Sequence, residues 1–141
     1  LNYAAAMSDE YPAITAFEKS IGSGPTFPIQ LTSGSWKPKK GSLELIEDNI
    51  ISILVYQIGF RLRQEIFGTR NYECLEEPNI NATRLLVYRF TKEAIEAWEP
   101  RVRLLETQIQ FTPSEIQIRL RYQVLTNQMV GELDFSYQKS A

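Results

Sequence analysis

The chain has no histidine and one cysteine, Cys74, in 141 residues. Without histidine it lacks the side chain whose ordinary pKa lies nearest neutral pH, and the commonest metal ligand. Serine–histidine–aspartate and cysteine–histidine catalysis are therefore excluded. Zinc sites built on histidine and cysteine sets are excluded too, since one cysteine and no histidine cannot supply four ligands. An enzyme with this composition would have to work with carboxylates, lysines, tyrosines or a borrowed cofactor; neither a cofactor nor a metal is expected. A lone cysteine cannot close an internal disulfide, which fits a reducing compartment. No run of about 18 apolar residues occurs, so no transmembrane helix is encoded and no direct membrane insertion is expected. The first thirteen residues, LNYAAAMSDEYPA, lack the basic stretch leading into a long apolar one that marks a signal peptide. A net charge of −2 gives no overall basic footprint for nucleic acid.

What is present suits one domain: 141 residues, 43% of them hydrophobic, allow a real core but are too short for two comfortable domains. Residues 1–25 read as an amino-terminal arm. It holds a possible short helix over Tyr11–Ser20 and ends in the flexible Gly22-Ser23-Gly24-Pro25. Thr26 to Leu31 suggests a short strand, which Pro28 would confine to a sheet edge. Ser33-Gly34-Ser35 and Pro38-Lys39-Lys40-Gly41 are turn chemistry around Trp36. The Lys37, Lys39, Lys40 cluster reads as a solvated loop, because no glycine-rich phosphate loop surrounds it.

From Ser42 to Ile58 the apolar residues Leu43, Ile46, Ile50, Ile53, Leu54 and Ile58 recur at helical spacing. Ser42 is placed to cap this first helix and Gly59 to end it. Phe60 to Gly68 begins with an apolar/arginine alternation consistent with a short extended segment, after which Ile66-Phe67 return to the core. Thr69 to Pro78 is a polar, acidic loop. A second helix is expected from an Asn79 cap to Trp98, with Ala82, Leu85, Leu86, Phe90, Ala94 and Ala97 as its buried stripe. It ends at Pro100, because the residue before a proline is pushed out of the α region.

The remainder is strand-like. Val102–Phe111 changes alternation phase near Leu104-Leu105, a bulge signal. Ile116, Ile118, Leu120, Tyr122 and Val124 alternate with polar residues, as in a half-buried antiparallel strand. A third strand with Leu133, Phe135 and Tyr137 inward follows the turn at Thr126-Asn127-Gln128. The expected fold is α+β: two packed helices against a small antiparallel sheet of three or more strands, in one domain over residues 26–141.

A carboxylate-based cell-wall hydrolase is one functional alternative, and Glu76/Glu77 is the pair it would use. Adjacent residues do not aim at one bond, however, and glycosidases hold their two carboxyl groups about 5–10 Å apart across it. A generic peptide-binding module using the open sheet edge is the other alternative.

Several short stretches together carry a resemblance. Gly24-x-x-Phe27-Pro28, Ile50-x-x-Ile53-Leu54, Gly59-x-Arg61 and Phe67-Gly68 come first, then Glu77-Pro78-Asn79 and Tyr88-Arg89. Trp98-Glu99-Pro100-Arg101-Val102, Arg121-Tyr122 and Thr126-Asn127 complete the series. In this order the chain, over roughly residues 24 to 137, resembles the phage baseplate wedge family once called "acidic lysozyme". That family includes the type VI secretion wedge subunit and its counterparts in other contractile injection particles. The sequence departs from the usual pattern at Gly59-Phe60-Arg61 and at Glu65-Ile66-Phe67-Gly68.

The resemblance implies a non-enzymatic structural subunit, six copies per hexagonal baseplate, on which the contractile sheath begins to polymerise. It implies a sheath protein docking by strand addition, and the helical core bundle of the wedge proteins as partner of Glu99, Pro100 and Arg101, with Trp98 beside them. Spike, hub or inner-tube components are further candidate partners. Assembly in the cytoplasm, followed by residence in a phage-tail-like particle, is implied as well. Arg101→Ala is expected to give a folded monomer that fails to join the baseplate.

Overall fold

The computed structural model describes residues 21–36, 38–40 and 43–139. The helix expected over Tyr11–Ser20, the Ser42 cap and Lys37 lie outside them. Ten residues, Val102–Phe111 (β5), run antiparallel to Glu115–Val124 (β6), which pairs in turn with Val130–Gln138 (β7). Two helices, Leu43–Val55 (α1) and Asn81–Trp98 (α2), pack on this sheet, giving the expected α+β architecture. Before α1 lie two small pairings, Ser23–Pro25 (β1) with Pro38–Lys40 (β4) and Leu31–Thr32 (β2) with Ser35–Trp36 (β3). The β2–β3 hairpin turns through Ser33 and Gly34, both at positive φ as a type I′ turn requires. The strand expected over Thr26–Leu31 is not there. Only Leu31 lies in a strand, β2, and residues 26–30 form a loop with a cis Phe27–Pro28 bond, tied to α1 by the Phe27 amide donating to Asp48.

The core is centred on β6, whose Ile116, Ile118, Leu120, Tyr122 and Val124 are all at most 1% exposed. Leu45, Ile46, Ile50 and Leu54 of α1 meet them from above, joined by Val87 and Ile95 of α2. The phase change in β5 is a register shift between Leu104 and Glu106.

Helix α2 departs from the sequence expectation. Its buried positions are Thr83, Val87, Thr91, Ala94 and Ile95, whereas Leu85 and Leu86 are 67% and 43% exposed, and Ala82 and Ala97 also face out. Two threonines turn inward because each has a hydrogen-bond acceptor or donor waiting. The Thr83 hydroxyl donates to the Pro78 carbonyl at 2.8 Å, and the Thr91 hydroxyl accepts from the Asn71 amide at 2.9 Å. Asn79 does not cap the helix; its side-chain oxygen accepts from Arg84 instead, and Ile80 stands at the cap position.

Helix α1 ends at Val55, short of Ile58 and Gly59, because other groups satisfy its last carbonyls. The Tyr137 hydroxyl of β7 donates to Leu54 at 2.6 Å, the Tyr72 hydroxyl to Val55 at 2.7 Å, and the Thr69 amide to Tyr56 at 2.9 Å. These replace the glycine cap expected at Gly59. Residues 60–68 form turns rather than a strand. The amides of Gly59, Gln64 and Phe67 bond to Glu65, Arg61 and Gln64 carbonyls, so the backbone is satisfied locally. Phe67 is buried as expected, but Ile66 is 74% exposed.

Burial pushes the Tyr137 hydroxyl up to about 12 from 10.0, against weaker opposing bonds from Thr69 and Asn71, and burial with Glu47 nearby also raises Tyr122. Between the unfolded and folded values the native state holds the proton more tightly. Stability is therefore intact below pH 10 and falls as pH rises towards 12, by about 1.4 kcal/mol per pH unit for each such tyrosine. Urea midpoints measured from pH 8 to 11.5 should show this fall. Tyr137→Phe should lower stability at pH 8 by about 1–2 kcal/mol and make the alkaline slope shallower.

Candidate functional site

The end of α2 and the start of β5 form a corner. Pro100 excludes Glu99 from the helix, and Glu99 takes φ −129°, ψ 73° while its amide still bonds to the Ile95 carbonyl at 2.8 Å. The Val102 amide then reaches back to the Glu99 carbonyl at 3.3 Å, so chain direction reverses within four residues. This geometry turns the Glu99 side chain inward, where only 3% of it is exposed, and leaves the Arg101 side chain 31% exposed.

The two charges face each other in a bidentate pair. Arg101 Nε donates to Glu99 Oε1 at 2.5 Å and Nη2 to Oε2 at 2.7 Å, while Nη1 donates to the Ile21 carbonyl at 2.5 Å. Asn49 of α1 completes the carboxylate's shell, its Nδ2 donating to Oε2 at 3.1 Å. The bond to Glu99 raises the Arg101 guanidinium above its ordinary range, against the opposing effect of burial. Of the five N–H donors on a guanidinium, the three bonds above engage three. Among the described residues, nothing engages the other two.

Beside this pair lies an aromatic stack. Trp98 sits edge-on to Phe67 with centroids 5.0 Å apart, and Phe67 edge-on to Tyr56 at 5.6 Å. The Arg61 guanidinium covers Phe67 at 4.2 Å from the ring centre. Together with Phe27 and Ile29 these residues line an open groove of about 500 Å³. Beyond Arg61 the loop presents Phe60, Leu62 and Ile66, which are 75%, 92% and 74% exposed.

The groove therefore gathers stretches that are far apart in sequence. Trp98, Glu99, Pro100 and Arg101, singled out from the sequence, all line it, as do Phe27, Arg61 and Phe67 from the other quoted stretches. Asn49 and the Ile21 carbonyl were not anticipated. A signal existed for Asn49: it lies at helical spacing between Ile46 and Ile53, a polar residue within an apolar stripe, which asks for a buried partner. Nothing in the sequence marks the Ile21 carbonyl. Glu76 and Glu77 are exposed after a short 3-10 turn over Asn71–Cys74 and take no part in the groove. Among the described residues, no group of three or more cysteine, aspartate or glutamate side chains could hold a metal ion. No described helix is long and apolar enough to cross a membrane.

Comparison with known proteins gives a consistent picture. The family model described as "Baseplate wedge protein gp25" matches residues 40–129. No curated protein sequence matches the chain. A crystal structure of a Geobacter sulfurreducens protein, provisionally named a tail lysozyme, is 24% identical with a TM-score of 0.65, over 70% of this chain and 92% of that one. A chain of the anti-feeding prophage baseplate is 15% identical with a TM-score of 0.65, over 90% and 93% of the two chains. A chain of the pyocin R2 baseplate after contraction is 17% identical with a TM-score of 0.50, over 79% and 99%. At these identities the solved structures speak for the fold, and the sequence family covers most of the α+β domain, including the Trp98–Arg101 corner. The chain belongs to the baseplate wedge protein gp25 family.

Proposed function

We propose that the protein is a non-enzymatic structural subunit of the baseplate of a contractile injection machine. In this reading it joins the wedge core bundle to the first sheath ring and starts sheath assembly by accepting a strand. The observation that carries the reading is the family match over residues 40–129. Six copies around a hexagonal baseplate, assembly in the cytoplasm and further contacts with spike, hub or inner-tube components belong to the same reading.

The corner is the surface we assign to the wedge core bundle. Arg101 is pre-oriented by Glu99 and Ile21 yet keeps two donors, which suits a carboxylate or a helix C-terminus on the partner. The exposed Phe60, Leu62 and Ile66 form an apolar patch alongside, of the kind that marks a protein contact. Arg101→Ala is not a clean test of docking, since it also removes contacts internal to the fold. Leu62 is 92% exposed. Leu62→Glu should leave the melting behaviour of the isolated protein within about 0.5 kcal/mol of wild type. Co-expressed with its cognate wedge and sheath proteins, the variant should fail to enter baseplates that wild type enters. Normal incorporation of both Leu62→Glu and Phe60→Glu would remove this patch from the docking surface. Failure of the wild-type protein to associate with either partner, with normal sheathed particles after its deletion, would overturn the baseplate reading itself.

The name given to the Geobacter neighbour favours a second reading, a cell-wall hydrolase. One groove, on the open sheet face, is lined by two carboxylates, Glu115 and Asp134, with glutamines and Arg119 between them. Hydrogen bonds from Gln117 and Gln138 hold Glu115 below its ordinary pKa, and the Arg119 pairing does the same for Asp134. Both therefore stay ionised at neutral pH, whereas a glycosidase needs one carboxyl group raised to act as acid. A muramidase assay on the purified protein should read zero.

A further inference from the structure

The sheet has two outer edges, β5 and β7, and among the described residues neither is paired. The geometry points to β5 as the edge that accepts a partner strand, with the groove between β5 and α2 taking that strand's apolar side chains. This rests on the reading of the protein as a baseplate subunit that is completed by strand addition.

The direction of the backbone groups follows from one bond. The Leu125 amide donates to the Arg101 carbonyl, so odd-numbered residues of β6 turn their polar groups toward β5. After the bulge Arg121 pairs with Glu106, Arg119 with Gln108 and Gln117 with Gln110. Glu106, Gln108 and Gln110 therefore bond to β6, while Thr107, Ile109 and Phe111 point their N–H and C=O groups outward. These three residues also carry their side chains on the inner face, where all are only half-buried.

Among the described residues, nothing fills the space beside them. A groove of about 470 Å³ runs along this edge, walled by Thr107 and Ile109 on one side and by Leu85 and Tyr88 of α2 on the other. It explains why α2 leaves Leu85 67% and Tyr88 40% exposed. The Thr107 hydroxyl is buried with no hydrogen-bond partner, a deficit that an incoming segment can relieve. An added strand bonded to Thr107, Ile109 and Phe111 would extend the inner face by one row, and its inward side chains would fall into this groove. The chemistry that fits is an extended segment with apolar residues at alternate positions and polar ones between.

The other edge differs on both counts. The same parity turns Glu132, Asp134 and Ser136 of β7 outward, and their side chains stand on the solvent face. The inner face beyond β7 is closed by Tyr72, whose ring is 5.1 Å from that of the 3%-exposed Tyr137. Side chains of a strand added there would meet this ring rather than a groove.

The test uses the full chain with its cognate sheath protein, followed by amide hydrogen exchange. On complex formation the Thr107, Ile109 and Phe111 amides should slow by at least about tenfold, with Glu132, Asp134 and Ser136 unchanged. Thr107→Pro removes an outward N–H without touching the β5–β6 ladder, and should weaken binding by about tenfold or more. Asp134→Pro, its counterpart on β7, should bind as wild type. Leu85→Glu charges the groove without altering the edge backbone, and should also weaken binding while the melting temperature of the free protein holds. Binding with protection at Glu132, Asp134 and Ser136 would overturn the choice of edge and leave the baseplate reading standing. Binding with no protection at either edge would overturn strand addition. No binding to the sheath protein at all would overturn strand addition, and this inference with it; the baseplate reading itself falls only if the wedge proteins also fail to bind.

Discussion

Arg101→Ala is expected to lower the stability of the isolated protein by about 3–4 kcal/mol, more than Glu99→Ala, which should cost about 2–3 kcal/mol. The asymmetry follows from burial. Removing Arg101 strands a carboxylate whose side chain is 3% exposed, with only the Asn49 amide for company. Removing Glu99 strands a guanidinium that is 31% exposed and can turn part of its charge to water. The double variant should cost clearly less than the sum of the two, since each single change includes the penalty of leaving the other group unpaired. Chemical denaturation of the four proteins in the cycle checks this. A cost below about 1 kcal/mol for Arg101→Ala would mean that the pair behaves as an exposed one. A domain with a typical stability of about 5–15 kcal/mol survives the loss at low temperature. Failure of the variant to enter a baseplate would therefore mix two causes, weakened folding and lost contact.

Gly68→Ala should cost about 3 kcal/mol or more. Gly68 has φ +116°, outside the range open to other residues, and a Cβ there would collide with the Tyr56 backbone carbonyl. That carbonyl accepts the Thr69 amide, and Thr69 in turn accepts the Ile58 amide at 3.2 Å, so relief of the clash opens the junction that follows α1. Phe67, one residue earlier, would shift against Trp98 and Arg61. Thermal melting should drop by about 6 °C or more, and near-ultraviolet circular dichroism should change as the Tyr56–Phe67–Trp98 stack loosens. An unchanged melting temperature would show that the loop has room to move.

The elements most legible in the sequence were those that follow one period with one face in solvent. β6 is the clearest, because each inward residue is apolar and each neighbour is Gln or Arg except at the strand's ends. The apolar stripe of α1 was visible for the same reason, and so was the bulge at Leu104–Glu106, where the period slips. Helix α2 was misread in its facing because hydrophobicity ranks leucine above threonine. Thr83 and Thr91 are nevertheless inside, each with a partner supplied by a distant loop. Residues 60–68 alternated like a strand but had no strand to pair with, and their turn bonds to near neighbours decided the outcome. At the site, the proline stop and the Glu99–Arg101 proximity follow from adjacent residues and were readable. The burial of Glu99 against Asn49, and the capture of Arg101 by the Ile21 carbonyl, depend on contacts 50 and 80 residues apart in the chain. No local pattern encodes such contacts.

Strand β5 begins at Val102, immediately after Arg101, and ends at Phe111. It thus spans about 33 Å from the Glu99–Arg101 corner to the far end of the open edge in ten residues. With one partner held at each end, a pull between them runs lengthwise through β5. The ladder bonds to β6 lie across that pull, so they are loaded together in shear instead of being peeled one after another. Under the proposed function, this ten-residue strand would then serve as a tension member between the two partners.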